Sequence, residues 1–226
     1  VSPDEINVLA LVGALVLFVA SGLAWAYFRP YVRTLRAIRR APRVPIAEVV
    51  DGTTVRIVGT IVAGKKMLAA PLTGRRCAHY KATLDELREH SSRHGGGQDG
   101  WDERARQEDA RNFIVEDETG RALVRLGPKG IESALVLDHA SILRADAEVQ
   151  SAEEAAFLEA QRIPRNARKR TLRLREGVLE AGEDVAVLGR ARWEQDGRAG
   201  AAKHLVIEPM PDGKVYASDD PSARWQ

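Results

Sequence analysis

The sequence predicts a mainly β (α+β) protein: an N-terminal transmembrane helix followed by an antiparallel β-barrel or sandwich-like domain with one or two short helices. Three observations predict it. Residues 6–28, INVLALVGALVLFVASGLAWAYF, hold no acid or base. From residue 54 onward, short stretches alternate apolar and polar residues between glycine-marked turns, the period of half-buried strands. One stretch, SAEEAAFLEAQR (151–162), reads as a capped helix.

A bilayer core needs roughly 20 apolar residues in a helix, and the run from Ile6 to Phe28 meets that length. Asp4 and Glu5 precede it, while Arg29, Arg33, Arg36, Arg39, Arg40 and Arg43 follow it with no acid before Glu48. An excess of basic residues marks the cytoplasmic side of a span, so the expected placement is single-pass in the cell (inner) membrane, N-terminus outside and the C-terminal domain cytoplasmic. Trp25, Tyr27, Phe28 and Tyr31 fall where an aromatic belt meets headgroups. A cleaved signal peptide is the rival; Ala20-Ser21-Gly22 offers small residues, but acids come first and bases come after, the reverse of the usual order.

The 226 residues leave about 180 beyond the apolar run and its basic flank, enough for one ordinary domain or two small ones. The formal net charge is +2, and the arginines of 29–43 more than supply it. What remains is near neutral, which argues against nucleic acid as the partner. A single cysteine, Cys77, excludes an internal disulfide framework and any zinc site built from cysteine pairs. No P-loop, dinucleotide fingerprint, nucleophile elbow or zincin motif is present, so the expectation is no cofactor.

In chain order, RPYVRTLRAIRR (29–40) sets Tyr31, Leu35 and Ile38 at i, i+4 and i+7 among arginines, the pattern of an amphipathic helix lying on a membrane surface. The six arginines are its membrane-surface binding residues, with a bare topology signal as the competing reading. Pro42 and Pro45 stop that helix. Strands are expected at Val55 to Ile61 and at Cys77 to Leu84, then a hairpin of Phe113 to Val115 and Ala122 to Leu126 across the turn at Asp117 to Gly120. Arg88 to Ala110, polar and containing Gly95-Gly96-Gly97, reads as a long loop. Thr171 to Leu179 and Asp184 to Trp193 read as strands joined across Glu180-Ala181-Gly182, and His204 to Glu208 as the last strand, stopped by Pro209.

Several side chains invite chemistry. On an alternating strand, Cys77 and His79 face the same side and could form a nucleophile and base, although a strand cysteine is commonly a small buried residue. His90 and His94 share the i, i+4 spacing of metal ligands but border the glycine run, with no third ligand nearby. Glu116, Asp117 and Glu118 sit at a hairpin tip, where acids serve turns and solvation. His139 and His204 have no recognisable partner spacing. Arg165, Arg168, Lys169, Arg170, Arg173 and Arg175 form a second basic stretch. Arg173 and Arg175, alternating with Leu172 and Leu174, and the loop of Arg88 to Ala110 are the candidate partner surfaces. The residues supply no catalytic or metal assignment.

Five segments stand in an order that is similar to a known family: VVDGTTVRIVGTIV (49–62), APLTGRRCAHYKATL (70–84), FIVEDETGRALV (113–124), EGVLEAGEDVAVLGRA (176–191) and HLVIEP (204–209), with YASDDP (216–221) trailing. The chain resembles the membrane-adjacent domain of GIDE-type mitochondrial E3 ubiquitin ligases, as a bacterial relative lacking the RING. The resemblance covers roughly Val44 to Pro221 and implies a β-rich domain beside a bilayer that binds a protein partner or ligand. Those ligases carry zinc-binding cysteines in the RING; this chain has one cysteine, so ligase activity does not transfer and enzyme status stays open. The expected organisation is 1–28 with the span, 29–43 as a basic juxtamembrane helix, 44–221 as the β domain (as two halves, 44–150 and 163–221, in one version), and 222–226 as a tail. The expected function is a non-catalytic recognition or scaffolding module whose partners are the lipid bilayer and a protein. The alternative is an accessory component of a membrane-bound E3 ubiquitin-ligase-like system.

Overall fold

The computed structural model describes residues 15, 18, 19, 21, 22, 29–64, 66–88, 100–144, 151–163, 170–195 and 203–225. Its centre is a closed barrel of five strands. β1 (Thr54–Val62) carries the alternation TVRIVGTIV and lies antiparallel to both β5 (Phe113–Asp117) and β10 (Asp184–Gln195). β5 turns back as the hairpin partner of β6 (Gly120–Val124), and β6 runs parallel to β11 (Lys203–Glu208). β11 pairs antiparallel with β10, which closes the circuit onto β1. This circuit is that of an OB-type Greek-key barrel, a scaffold that hosts many unrelated functions. Inward-facing Ile57, Ile61, Val115, Val124, Val185, Val187, Leu205 and Ile207 fill it. The barrel bends so tightly at Gly189 that an added Cβ would lie 2.5 Å from Ile207 Cγ2 and 2.6 Å from the Glu208 carbonyl oxygen. β12 (Val215–Ser218) extends β10, and β7 (Ile131–Ala134) joins β12 in parallel.

A second sheet stands against this barrel in the strand order β2 (Leu68–Ala69), β3 (Arg76–Arg88), β9 (Leu172–Glu180) and β8 (His139–Leu143). β4 (Gly100–Ala110) pairs antiparallel with β3 along nearly its whole length. The polar stretch expected as a loop is therefore one arm of a long hairpin, with residues 89–99 outside the described set. β9 and β10 follow each other across Gly182 (φ 89°) but do not pair: β9 belongs to the second sheet and β10 to the barrel. Each sheet draws strands from both sides of residue 150, so a division into halves at 150–163 does not separate them. His204 to Glu208 is not the last strand, because β12 follows it.

One face of the second sheet packs Ala82, Leu84, Leu172 and Leu174 against Phe157 and Leu158 of α2 (Ala152–Ala160), numbered after the first described helix, α1 (Pro30–Arg40). Ser151 caps α2 by accepting from the Glu154 backbone N–H at 3.1 Å. The Glu154 carboxylate ties the start of α2 to the sheet, accepting from Ser141 Oγ on β8 at 2.5 Å.

α1 starts with Pro30 in the first turn, where its missing N–H removes no bond, and ends at Ala41, held extended before Pro42. Its apolar face is taken up by protein. Leu35 and Ile38 pack on Ala134, Ala186, Leu188 and Ala223, the last from the short α3 (Pro221–Arg224). Tyr31 donates to Asp220 at 2.5 Å, and Arg39 Nε donates to the Ser222 carbonyl at 2.9 Å. The face expected to lie in a membrane surface is thus the face docked on β7, β10 and β12.

The membrane expectations need correction. Among the described residues no helix is long and apolar enough to cross a membrane. α1, at 11 residues, spans about 16 Å against the ~30 Å of a bilayer core, and it carries arginines throughout. That finding removes the transmembrane helix from the fold class, and with it the single-pass inner-membrane placement with the N-terminus outside. Of the run from Ile6 to Phe28, Leu15, Phe18, Val19, Ser21 and Gly22 are described and helical; the rest of it lies outside the described residues.

Candidate functional site

The second sheet has two faces of opposite chemistry because β3 and β9 alternate where residues 82–86 pair with 172–176. Leu84 faces Leu174 on the α2 side. On the other side Thr83 faces Arg175, and Asp85 faces Arg173. At the foot of that second face the segment 131–137 crosses over the sheet. Gly177 makes the crossing possible, since a Cβ there would come within 2.6 Å of the Val136 carbonyl oxygen. Above the crossing no described helix or strand covers the face, and Ile142, beside Arg173 in the ladder, is 51 % exposed.

Arg173 and Arg175 come together here around one buried acid. Arg173 reaches Asp85 Oδ2 with Nε at 3.1 Å and Nη2 at 3.0 Å, and Arg175 Nη2 reaches the same oxygen at 2.8 Å. The Arg173 guanidinium also lies 4.2 Å over the ring centre of Trp101 on β4, within cation–π range. Both arginines keep about a quarter of their side-chain surface open, 25 % and 30 %. The result is a fixed Trp–Arg–Asp–Arg row on an open sheet. On the opposite, α2-side face Glu86 is held by Arg104 at 2.8 Å and by Arg170, which keeps its carboxyl below the usual range.

A groove of about 720 Å³ lies where the crossing segment meets the sheet, bordered by Lys81, Arg106, Glu108, Glu132, Ser133 and Lys214. His79 forms its anchor. The imidazole is fully buried, with Nδ1 3.0 Å from the Asp109 carbonyl oxygen and Nε2 2.8 Å from Ser133 Oγ. A carbonyl oxygen only accepts, so Nδ1 carries the proton and Nε2 accepts from the serine hydroxyl. Burial lowers the His79 pKa to about 4, so the ring is neutral at physiological pH. It works as a clamp between β4 and β7. Glu108 Oε1 lies 3.6 Å from Nε2, and burial raises that carboxyl.

The Cys77–His79 contact that alternation allows does not form. A β-bulge between the two residues shifts the register with β9 and turns them apart. Cys77 packs with Ala70, Tyr80 and Val178, and burial pushes its thiol up to about 12, far from a reactive thiolate. His90 and His94 lie outside the described residues, as do Arg165, Arg168 and Lys169. His139 and His204 stand 3.8 Å and 3.9 Å from Glu154 and Glu194. Among the described residues no group of His, Cys, Asp or Glu could hold a metal ion.

The hairpin acids do turn chemistry. Asp117 Oδ1 accepts from the backbone N–H groups of Thr119 and Gly120, and Oδ2 accepts from that of Ile46. A second cavity of about 780 Å³ beside Arg43 is bordered by Glu116 and Asp184, which Arg121 and Arg224 already hold at 3.1 Å and 2.8 Å. Arg29, Arg33 and Arg40 are exposed at the start and along α1 and Arg36 is half-buried, while the exposed Arg43 forms a β-bridge with Arg56 of the barrel strand β1. Trp101, Asp85 and Ile142 escaped sequence reasoning. Trp101 sits in a stretch without apolar alternation, and the fit of Asp85 between two arginines depends on pairing across distant strands.

The geometry defines a class: a closed β-barrel protein with an appended, open-faced β-sheet. No family model, no curated protein and no solved structure matches the chain.

Proposed function

We propose that the chain is a non-catalytic recognition module that binds a protein partner on the open face of its second sheet. The observation that carries this reading is the Trp101–Arg173–Asp85–Arg175 row beside the exposed Ile142. Tryptophan and arginine dominate the energetically decisive positions of protein interfaces. Here both are held in place before any partner arrives, so little side-chain freedom is lost on binding. Asp85 neutralises part of the arginine charge, which favours a partner of mixed polarity over a strongly acidic one. Such a partner would seat an apolar side chain against Ile142 and Trp101 and offer acceptors to the outward guanidinium N–H groups. The resemblance to the GIDE-type domain points the same way, since it implies a binding domain apart from any RING.

The test compares the immobilised protein with a Trp101→Ala/Ile142→Asp double variant in quantitative capture from an extract of its native host, with Val50→Asp as control. Val50 is 65 % exposed and belongs to the turn that leads into β1 of the barrel, outside the second sheet. A specific set of proteins is expected to fall by about tenfold or more with the double variant, equivalent to at least about 1.4 kcal/mol, and to persist with Val50→Asp. Equal recovery on all three surfaces would overturn the proposal.

A further inference from the structure

The second sheet ends in two edges of opposite character. β4, GWDERARQEDA, is mostly acids and bases, the usual protection of an edge against pairing with another chain. β8, HASIL, holds no acid, no lysine and no proline, and among the described residues nothing pairs with its outer side. Its outer row of backbone donors and acceptors is unpaired among the described residues, Ala140 and Ile142 are exposed on the open face, and Val136 just before it is 40 % exposed. A bare backbone edge is complementary to one thing, another extended strand.

We propose that this strand is a second copy of the chain: two β8 strands pair antiparallel about a two-fold axis through Ser141, joining two sheets into one. The register supplies the argument. Centred on Ser141, such a pair sets Ala140 against the second copy's Ile142, a small side chain against a large one. One step beyond the strand ends, Asp138 comes opposite the second copy's Arg144, twice by symmetry. Arg144 is exposed and makes no ion pair among the described residues. Asp138, held by Arg75 at 2.5 Å and 2.7 Å, still leaves 47 % of its side chain open to a second cation. Within the strands themselves no two like charges face each other, and Asp138 lies between Arg75 and the second copy's Arg144.

A five-residue strand gives less than the roughly 800 Å² per partner of a standard interface, so the dimer is weak, with dissociation in the micromolar range. The junction lies at the β8 edge, on the far side of β9 and β3 from Trp101, so Trp101, Arg173 and Arg175 stay open in both copies and only Ile142 borders both surfaces. The inference does not depend on that face having a partner.

The experiment is sedimentation velocity of the full chain from micromolar to hundreds of micromolar, with two variants. Wild type is expected to shift reversibly from monomer to dimer, and Ile142→Lys to weaken the shift at least tenfold through like charge at the junction. In the double variant Ala140→Cys/Ile142→Cys, facing positions come close enough to form disulfides. Mild oxidation is expected to give a covalent dimer, with the buried native Cys77 silent and Trp101→Cys at the opposite edge giving none. A single monomer boundary at every concentration would overturn the proposal. So would association that Ile142→Lys leaves undiminished with no disulfide in the double variant.

Discussion

Asp219 shows how one side chain ties the wall of the groove to the sheets. Its Oδ1 accepts from the Val136 backbone N–H at 2.8 Å, at the point where the crossing segment leaves β7. Burial, together with the Glu183 and Asp138 carboxylates, raises its pKa from 3.8 to about 7. A carboxyl raised in the fold contributes stability that is fully present below its unfolded pKa and is lost as pH climbs through the folded one. A carboxamide in its place keeps an oxygen for the Val136 N–H and never ionises. The Asp219→Asn variant is therefore expected to gain on wild type by several degrees of Tm between pH 5 and pH 8, the ionisation penalty that accrues over that window being about 3 kcal/mol. Thermal scans at both pH values check this, and a Tm difference that does not change with pH contradicts it. His79 runs in the opposite sense: a base lowered to about 4 loses stability for the fold only as pH falls below its unfolded value. Comparing Asp219→Asn with wild type cancels that contribution.

Elements formed where local pattern and distant pairing agreed. β1, the β5–β6 hairpin and β11 were legible because their alternation survives into the barrel, one side in and one side out. β4 was not legible, because it lies at an edge and acids and bases, at six of its eleven positions, interrupt any apolar alternation. β7 and β12 are four residues each and are held by parallel pairing with each other, which no local signal announces. α1 was legible as an amphipathic helix, but its apolar stripe alone does not say what covers it. In the structure that cover is β7, β10 and β12 with Ala223 of α3. Burying Leu35 and Ile38 stabilises the docked helix by about 2 kcal/mol each. A Leu35→Asp change puts a charge into that seam and is expected to release α1 while the barrel holds. Limited trypsin digestion should then cut after Arg33, Arg36, Arg39 and Arg40 at least tenfold faster than in wild type. Equal rates would mean that α1 is not held by this face.

At the scale of the molecule, a closed barrel gives rigidity and the second sheet gives surface. The two are joined through the chain at β9–β10 and through space by His79, which reaches from β3 to Asp109 on β4 and Ser133 on β7. Of the candidate site, Arg173 and Arg175 were readable as a charged strand face, whereas the acid and the tryptophan that fix them come from residues 88 and 72 positions earlier. Sequence shows which side chains share a face of one strand; it does not show which face of which neighbour they meet. That gap also separates the six arginines of 29–43 from any stated partner.

The most direct measurement places a photo-reactive benzoylphenylalanine at position 101 and, separately, at position 142 and at Val50, in the full chain expressed in its native host. Irradiation should give a discrete adduct with a protein other than the chain itself from positions 101 and 142, absent from position 50, if the open sheet is where the partner sits. Adducts from position 50 alone, or none from 101 and 142, would contradict the assignment of that face to recognition.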